Sequence, residues 1–465
     1  MTPKVAVIGL DCADPALVFG PWLEDLPNIR RLVQSGTWGP LRSVDPPITV
    51  PAWSCMTSGH DPGELGIYGF RNRADHSYDA LMIADARAVH VDRVWDRLGR
   101  EGRHVVVVGV PQTSPPPEVN GDLVSCFLTG DTRRDPFTHP TGLRTEIERL
   151  VGTYQVDVRN FRSEDRDRIL AEVYAMTEQR FTVCRHLLDT RPWDFFMMVE
   201  IGVDRLHHAF WRFTDPAHPR YEPGHRYADV IHSYYRYLDD EIGELLERFD
   251  DETTVLVVSD HGARPMEGAI CVNEWLLREG YLVLREPVEG PTAFRDAVVD
   301  WEKTTAWGEG GYYCRLCLNV AGREPQGLVD PADYERVRDE IAARLEALGG
   351  PDGTPIGTRA LRPEDLWREQ RGIPPDLVVY FGDLGWRSAG SLGHGRHWTF
   401  DNDTGPDDAN HDRDGICIVS GPGVPAEHRT DLTIYDIAPT ILSLAGAPGV
   451  EGLRGRAIGG TVGRV

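Results

Sequence analysis

The sequence predicts an α/β protein: a doubly wound, mostly parallel sheet sandwiched by helices, with one inserted region. Three observations carry this. Short, Val-rich apolar runs recur along the chain without polar alternation, as expected of parallel strands buried on both faces. Longer amphipathic segments separate them at helical spacing. One stretch, residues 264–394, mixes strand and helix signals with many Gly and Pro residues and reads as an insertion.

In chain order, the strand-like runs are Val5–Leu10, His104–Val110 ("HVVVVGV"), Asp194–Glu200 ("DFFMMVE"), Thr253–Asp260 ("TTVLVVSD"), Asp376–Phe381 ("DLVVYF") and Gly415–Ser420 ("GICIVS"). Helices are expected over Arg166–Asp189, His225–Phe249, Pro331–Leu348 and Leu432–Ala445. The first carries Ile169, Leu170, Val173, Met176 and Phe181 at near-helical spacing. The last follows Asp431 and Thr433 as candidate caps and ends before Gly446. Residues 1–263 and 395–465 are read as the core, and 264–394 as an inserted cap that selects the substrate.

A chain of 465 residues is long enough for a large core, and 41% hydrophobic with 26% charged residues is ordinary for a globular protein. A net charge of −24 argues against a nucleic-acid polymer as partner, and no basic stripe is present. It leaves a small anionic substrate open, because bound metal reverses the local field. Lysine occurs only at Lys4 and Lys303, so a cationic clamp must be Arg, His or metal. The eight cysteines are scattered, and the single CxxC of Cys314 and Cys317 lies in an apparent strand, so core thiols are expected. No apolar h-region opens the sequence and no run reaches about 18 apolar residues, so a cytoplasmic protein without a membrane span is expected. Oligomeric state is not readable.

Ligands of open α/β sheets bind beyond the carboxyl ends of strands. Asp11 ends the first run, and Asp260 and His261 end "TTVLVVSDHG". Asp204 and His208 in "VDRLHHAFW" are four apart, hence on one face of a helix. His411 lies in "NHDRDGICIVSGPG". Singly, each reads as well as a turn, cap or surface residue. Together, three Asp, three His and one hydroxyl suffice for two divalent ions, with carboxylate and imidazole suiting Zn²⁺ and also Mn²⁺. The hydroxyl is Thr49 in "ITVPAWSCMTSGHDPG", which alone reads as a helix-capping residue.

The ordered set "GLDCADP", "PPITVPAWSCMTSGHDPG", "DRLHHAFW", "SDHG", "HDRDGICIVSGPG" and "TIYDIAPTILSLAG" resembles the alkaline phosphatase superfamily over nearly the whole chain. The resemblance is nearest the type I phosphodiesterase/nucleotide pyrophosphatase branch, and closer still to a bacterial group described as phosphohydrolases or phosphomutases. It implies an alkaline phosphatase-like core. It implies Thr49 as nucleophile and metal contact, Asp204, His208 and His411 as ligands of one ion, and Asp11, Asp260 and His261 as ligands of the other. Zinc is then the first expectation and manganese the second. The implied reaction is double displacement on a small phosphate ester through a phospho-threonine intermediate. Pro51 suits the first turn of a helix, which would set Thr49 just ahead of its free amides.

Two departures stand out. Leu65 occupies the place of a His in many relatives. Phe70 occupies the place of a phosphate-binding Asn in the nucleotide pyrophosphatase branch, with Asn72, together with Arg71 or Arg73, as the candidate substitute. His207, His394, His397, Arg42 and Arg205 read either as substrate contacts or as packed and solvated residues. Tyr312, Arg315 and Arg323 are candidates to line the cap. Phosphodiesterase is the first reading, and phosphomonoesterase, phosphomutase and phosphonate hydrolase are its rivals. A sulfatase would need Cys or Ser in C/S-x-P-x-R, and a cofactor-independent phosphoglycerate mutase would need Ser, which Thr49 is not. A catalytically silent metal-binding protein would show a broken set, whereas all seven positions hold competent residue types.

Overall fold

The computed structural model describes residues 3–459, so residues 1–2 and 460–465 of the expected core lie outside it. The central sheet comprises β1 (Lys4–Leu10), β2 (Thr37–Arg42), β3 (Val105–Val108), β4 (Gly121–Val124), β5 (Thr138–His139), β6 (Phe195–Glu200), β7 (Thr253–Val258), β8 (Asp414–Ser420), β9 (Glu427–His428) and β10 (Leu432–Thr433). Its order is β9-β2-β8-β7-β1-β6-β3-β4-β5, with β10 also on β2. β1 runs parallel to β6 and β7, and β3 runs parallel to β4 and β6. β8 is antiparallel to both its neighbours, as β5 is to β4.

The apolar runs follow from this placement. Successive side chains of a strand point to opposite faces, and here both faces are covered. Ala6, Ile8 and Leu10 of β1 join one core, while Val5 and Val7 join the other. The first core is closed by α2 (Arg166–Thr190), α3 (Gly202–Thr214) and α4 (Val230–Leu246), and the second by α1 (Thr49–Ser58) and α5 (Ile437–Leu444). Neither face of the inner strands meets water, so a polar residue there needs a protein partner, as Glu200 at the end of β6 has in Arg180, Thr177 and the Gly202 amide.

Several sequence expectations shift. The run Asp376–Phe381 does form a strand, Leu377–Tyr380, but outside the central sheet. It pairs antiparallel with Cys314–Leu318 and Arg359–Leu361 in a separate four-stranded sheet. Leu377 and Val379 face one cluster and Val378 and Tyr380 another, so a continuous apolar run reports two-sided burial rather than parallel pairing. α4 starts at Val230 instead of His225, whose ring stacks on Phe213 at 4.2 Å. The segment from Leu432 begins as β10. Thr433 then forms a capping box with Asp436 on a short turn before α5, while Asp431 is spent on Arg429. Pro331–Asp333 makes a tight turn ahead of the helix Tyr334–Glu346. All eight cysteines are free and buried. Among the described residues, no helix is long and apolar enough to cross a membrane.

Candidate metal centre and active site

Three strands of the central sheet deliver the site at their carboxyl ends. Asp11 follows β1, Asp260 and His261 follow β7, and α3 starts just after β6 with Asp204 in its first turn. His411 enters on the strand Ala409–Asp412, which pairs with Gly262–Pro265 and aligns with Ala263. Asp204 and His208, one helical turn apart on α3, present a carboxylate and an imidazole side by side at 3.2 Å. All six side chains are buried.

Their free atoms converge as two sets. Around Asp204 Oδ1, His208 Nε2 stands at 3.2 Å and His411 Nε2 at 3.6 Å, with 3.4 Å between the two nitrogens. Around His261 Nε2, Asp260 Oδ2 stands at 3.2 Å, Thr49 Oγ1 at 3.3 Å and Asp11 Oδ1 at 3.8 Å. The sets touch: the rings of His261 and His411 stack at 3.8 Å, and His261 also falls within ligand range of Asp204 and His411. Ligands about 2.0–2.1 Å from a tetrahedral ion stand about 3.3–3.4 Å apart, which is the spacing found here.

A second observation tests the fit. Among the described residues, Asp11 Oδ1, Asp204 Oδ1 and Asp260 Oδ2 are buried and have no hydrogen-bond partner, although such atoms are costly to leave unpaired. In each carboxylate the other oxygen is satisfied. Trp53 Nε1 donates to Asp11 Oδ2 at 2.7 Å, the Cys12 amide donates to Asp260 Oδ1 at 3.2 Å, and Arg205 holds Asp204 Oδ2. The three unpaired oxygens all face the histidine nitrogens. The imidazoles are oriented the same way: His208 Nδ1 donates to Asp407 at 2.7 Å, His261 Nδ1 to the Gly262 carbonyl at 3.0 Å, and His411 Nδ1 to the Pro47 carbonyl at 3.0 Å. Each Nε2 is thereby left free to face the carboxylate oxygens and any cation held between them. The residue types and their free atoms fit two divalent cations.

The electrostatics agree. Burial, then Asp204, raises the Asp11 carboxyl well above the usual range, and burial, then Asp11, does the same to Asp260. Burial acts to raise Asp204 as well, but His208 and Arg205 outweigh it and hold it well below. Burial, then His411, lowers His261. Carboxylates so crowded lack a positive partner on the Asp11–Asp260 side.

Thr49 is the first residue of α1, and its hydroxyl makes no capping bond, since the cap position is Ile48. Pro51 therefore sits at the third helical position. Two residues make this geometry feasible. Gly9 lets the Trp53 ring cross β1 to reach Asp11, for a Cβ at Gly9 would stand 2.5 Å from that ring. Cys12 takes φ 68°, the left-handed region, and so turns its amide onto Asp260.

A cleft of about 1460 Å³ opens beside the site, its walls including Ile48 next to Thr49, Arg205 next to Asp204, and Tyr312 against His208 and His411, with Phe70, Phe161 and Arg162. His394, Arg71 and Arg315 also line it. The other candidates lie elsewhere. His207 packs between Cys12 and Tyr235, where burial pushes its pKa down to about 3. His397 bonds the Gly349 carbonyl. Arg42 pairs with Asp414, half exposed, on the surface. Arg73 and Arg323 are spent on Glu324, and Arg323 also on Asp376. Asn72 accepts from the Tyr68 amide inside its own turn, so it does not stand in for the Asn lost at Phe70. Leu65 packs into the core under α1. Sequence reasoning missed Trp53 and Asp407. Trp53 lies inside "PPITVPAWSCMTSGHDPG", but nothing local gives its indole a partner. Asp407 sits four residues before His411 in an acidic loop, and only the fold brings it to His208.

A sequence model of the type I phosphodiesterase/nucleotide pyrophosphatase family matches residues 5–407. No curated protein sequence is matched. Phosphonoacetate hydrolase from Sinorhizobium meliloti 1021, in complex with phosphonoformate, shares the fold at 17% identity over 96% of this chain and 95% of that one, with a TM-score of 0.61. Human ectonucleotide pyrophosphatase/phosphodiesterase 5 does so at 12% identity over 96% of each chain, with a TM-score of 0.56. The murine counterpart, an inactive threonine-to-alanine variant in complex with AMP, matches at 12% identity over 98% of this chain and 97% of that one, with a TM-score of 0.55. The family match spans most of the sequence and coincides with an alkaline phosphatase-like α/β fold that gathers metal-type ligands at one end of its sheet. This chain therefore belongs to the type I phosphodiesterase/nucleotide pyrophosphatase family, of the alkaline phosphatase superfamily, and is a phosphoric ester hydrolase.

Proposed function

We propose that the protein is a two-metal phosphodiesterase that uses Thr49 as its nucleophile. The observation carrying this reading is the convergence of three unpaired carboxylate oxygens with three imidazole nitrogens beside the Thr49 hydroxyl. Asp204, His208 and His411 would hold one ion, and Asp11, Asp260 and His261, with Thr49, the other. Zinc is the ion proposed, with manganese as the alternative. Two such ions would supply Lewis-acid stabilisation of negative charge on oxygen and would favour ionisation of Thr49.

The protein's own groups then act as follows. Thr49 loses its proton to solvent, and its oxygen bonds to phosphorus. The bond to the leaving oxygen breaks, with its electron pair staying on that oxygen. A water then attacks the phospho-threonine, restoring the hydroxyl and releasing the phosphate monoester. The free amides at the start of α1 stabilise negative charge near Thr49. Residues 264–394 act as a cap, since segments around Pro291–Phe294, Gly308–Tyr313 and Arg387–His394 line the cleft. That a threonine-to-alanine variant of the murine relative is described as inactive supports the role of Thr49.

A second reading, phosphonate hydrolysis, is favoured by the likeness to phosphonoacetate hydrolase. One assay separates them. Metal-quantified protein is given bis-p-nitrophenyl phosphate, p-nitrophenyl phosphate and phosphonoacetate, beside Thr49→Ala. Fastest cleavage of the diester, lost in Thr49→Ala at unchanged metal content, is expected. Fastest turnover of the monoester or the phosphonate replaces the phosphodiesterase reading, and full activity in Thr49→Ala removes Thr49 from it.

A further inference from the structure

We infer that Tyr312, delivered by the inserted region, is a further catalytic residue whose hydroxyl hydrogen-bonds the oxygen of the departing group. The inference rests on the Thr49 reading above, because that reading fixes which end of the site is which. Thr49 Oγ1 lies 3.3 Å from His261 Nε2. Tyr312 Oη lies 3.2 Å from His208 Nε2, in the other ligand set, and the Tyr312 ring stacks on His411 at 3.9 Å. In an in-line displacement the leaving oxygen departs opposite the nucleophile. With Thr49 at one set, the other set, and Tyr312 with it, stands at the departing end.

The phenol is also arranged to donate. Arg162 gives a hydrogen bond to the phenol oxygen, so the phenol's own hydrogen is free to point elsewhere. Its other polar neighbour is His208 Nε2, whose ring bonds Asp407 through Nδ1. With a cation on the Nε2 lone pair, that nitrogen offers the phenol no acceptor. Among the described residues the phenol hydrogen then has no partner, and a substrate oxygen in the cleft is what remains for it. Tyr312 lines that cleft.

Its position is fixed rather than incidental. Gly311 and Ser388 exchange two backbone hydrogen bonds of 2.8 and 2.9 Å, and Asn410 Nδ2 donates to the Tyr312 carbonyl at 3.2 Å. Arg162 is itself anchored, Nε to Asp407 at 2.7 Å. Asp407 thus joins His208 to Arg162 and, through it, to Tyr312, coupling a ligand of the core to a side chain of the insertion. Arg162 is a positioning residue and Tyr312 a contact to the reacting atoms.

The test uses metal-loaded wild type, Tyr312→Phe and Thr49→Ala on phenyl phosphodiesters graded by the acidity of the leaving phenol. A hydrogen bond to a departing oxygen matters most where negative charge is hardest to bear. Tyr312→Phe is expected to lose little on the p-nitrophenyl ester and roughly 10–100-fold in kcat on the unsubstituted phenyl ester. Its metal content should match wild type, and its affinity for orthovanadate, measured calorimetrically, should fall about tenfold. An unchanged dependence on phenol acidity overturns the inference, as does the loss of an ion, which would make Tyr312 a ligand. Wild-type turnover in Thr49→Ala overturns the Thr49 reading instead. An inactive Thr49→Ala with an unaltered slope in Tyr312→Phe overturns only the role of Tyr312.

Discussion

The two halves of the site carry similar ligands but are supported by different chemistry. In one half, Asp204 and His208 are backed by charged partners, Arg205 on Asp204, itself paired to Asp157, and Asp407 on His208, while His411 rests on the Pro47 carbonyl. Asp11, Asp260 and His261 are backed by neutral ones: an indole, a backbone amide and a backbone carbonyl. The carboxylate pKa values follow, with Asp204 held down by His208 and Arg205 against its burial, Asp11 pushed up by burial and then by Asp204, and Asp260 pushed up by burial and then by Asp11. One half is close to charge balance without an ion. The other needs a cation to keep its two carboxylates ionised, and that half holds Thr49.

The sharpest break comes from the neutral half. On the proposed assignment, Asp260→Asn removes one of two acidic ligands and should lower both metal stoichiometry and turnover, the latter by more than about a thousandfold. Two ions per chain in that variant, by mass spectrometry of the metals, would take Asp260 out of the ligand set.

Metal removal should expose the same asymmetry through pH. Asp11 and Asp260 have folded pKa values above those of the unfolded chain, so the folded, metal-free protein binds more protons than the unfolded one in that range. Its stability is therefore greatest below the unfolded value and falls as pH rises through the raised ones. Asp204, shifted the other way, loses its contribution only at acid pH. Bound cations keep Asp11 and Asp260 ionised and cancel the fall. The gap in Tm between loaded and chelator-treated protein should widen as pH rises above the ordinary carboxylate range. A constant gap would mean that the neutral half holds no cation.

Much of this was legible in the sequence, for definite reasons. Burial on both faces writes itself as an apolar run, so β1, β3, β6, β7 and β8 could be read directly. Asp204 and His208 could be paired because helical spacing is local. The same signal misled at Leu377–Tyr380, where two-sided burial arises in a small antiparallel sheet. Trp53, Asp407 and Arg205 act through hydrogen bonds across 42, 199 and 48 positions of chain, which no local periodicity encodes. Tyr312 was legible as a residue of the insertion, but its place against His208 and His411 depends on how the Gly311–Ser388 pairing sets the loop.

The supports themselves supply the finer tests. Asp407→Asn keeps the shape but removes the charge opposing His208 and Arg162, and should weaken metal binding about 10–100-fold. The effect should fall on one ion of the two, leaving the Thr49 half loaded. Trp53→Phe removes a single neutral donor from Asp11 and should weaken binding at the other half about tenfold. Because Asp11 Oδ2 then joins Oδ1 as an unpaired buried oxygen, the metal-free form should suffer more than the loaded one. Its Tm should drop further with chelator present than with metal, and the excess should grow with pH as Asp11 ionises. Equal drops in both forms would show that Trp53 acts only by filling the core beneath β1, and the division between charged and neutral support would then lose its functional meaning at Asp11.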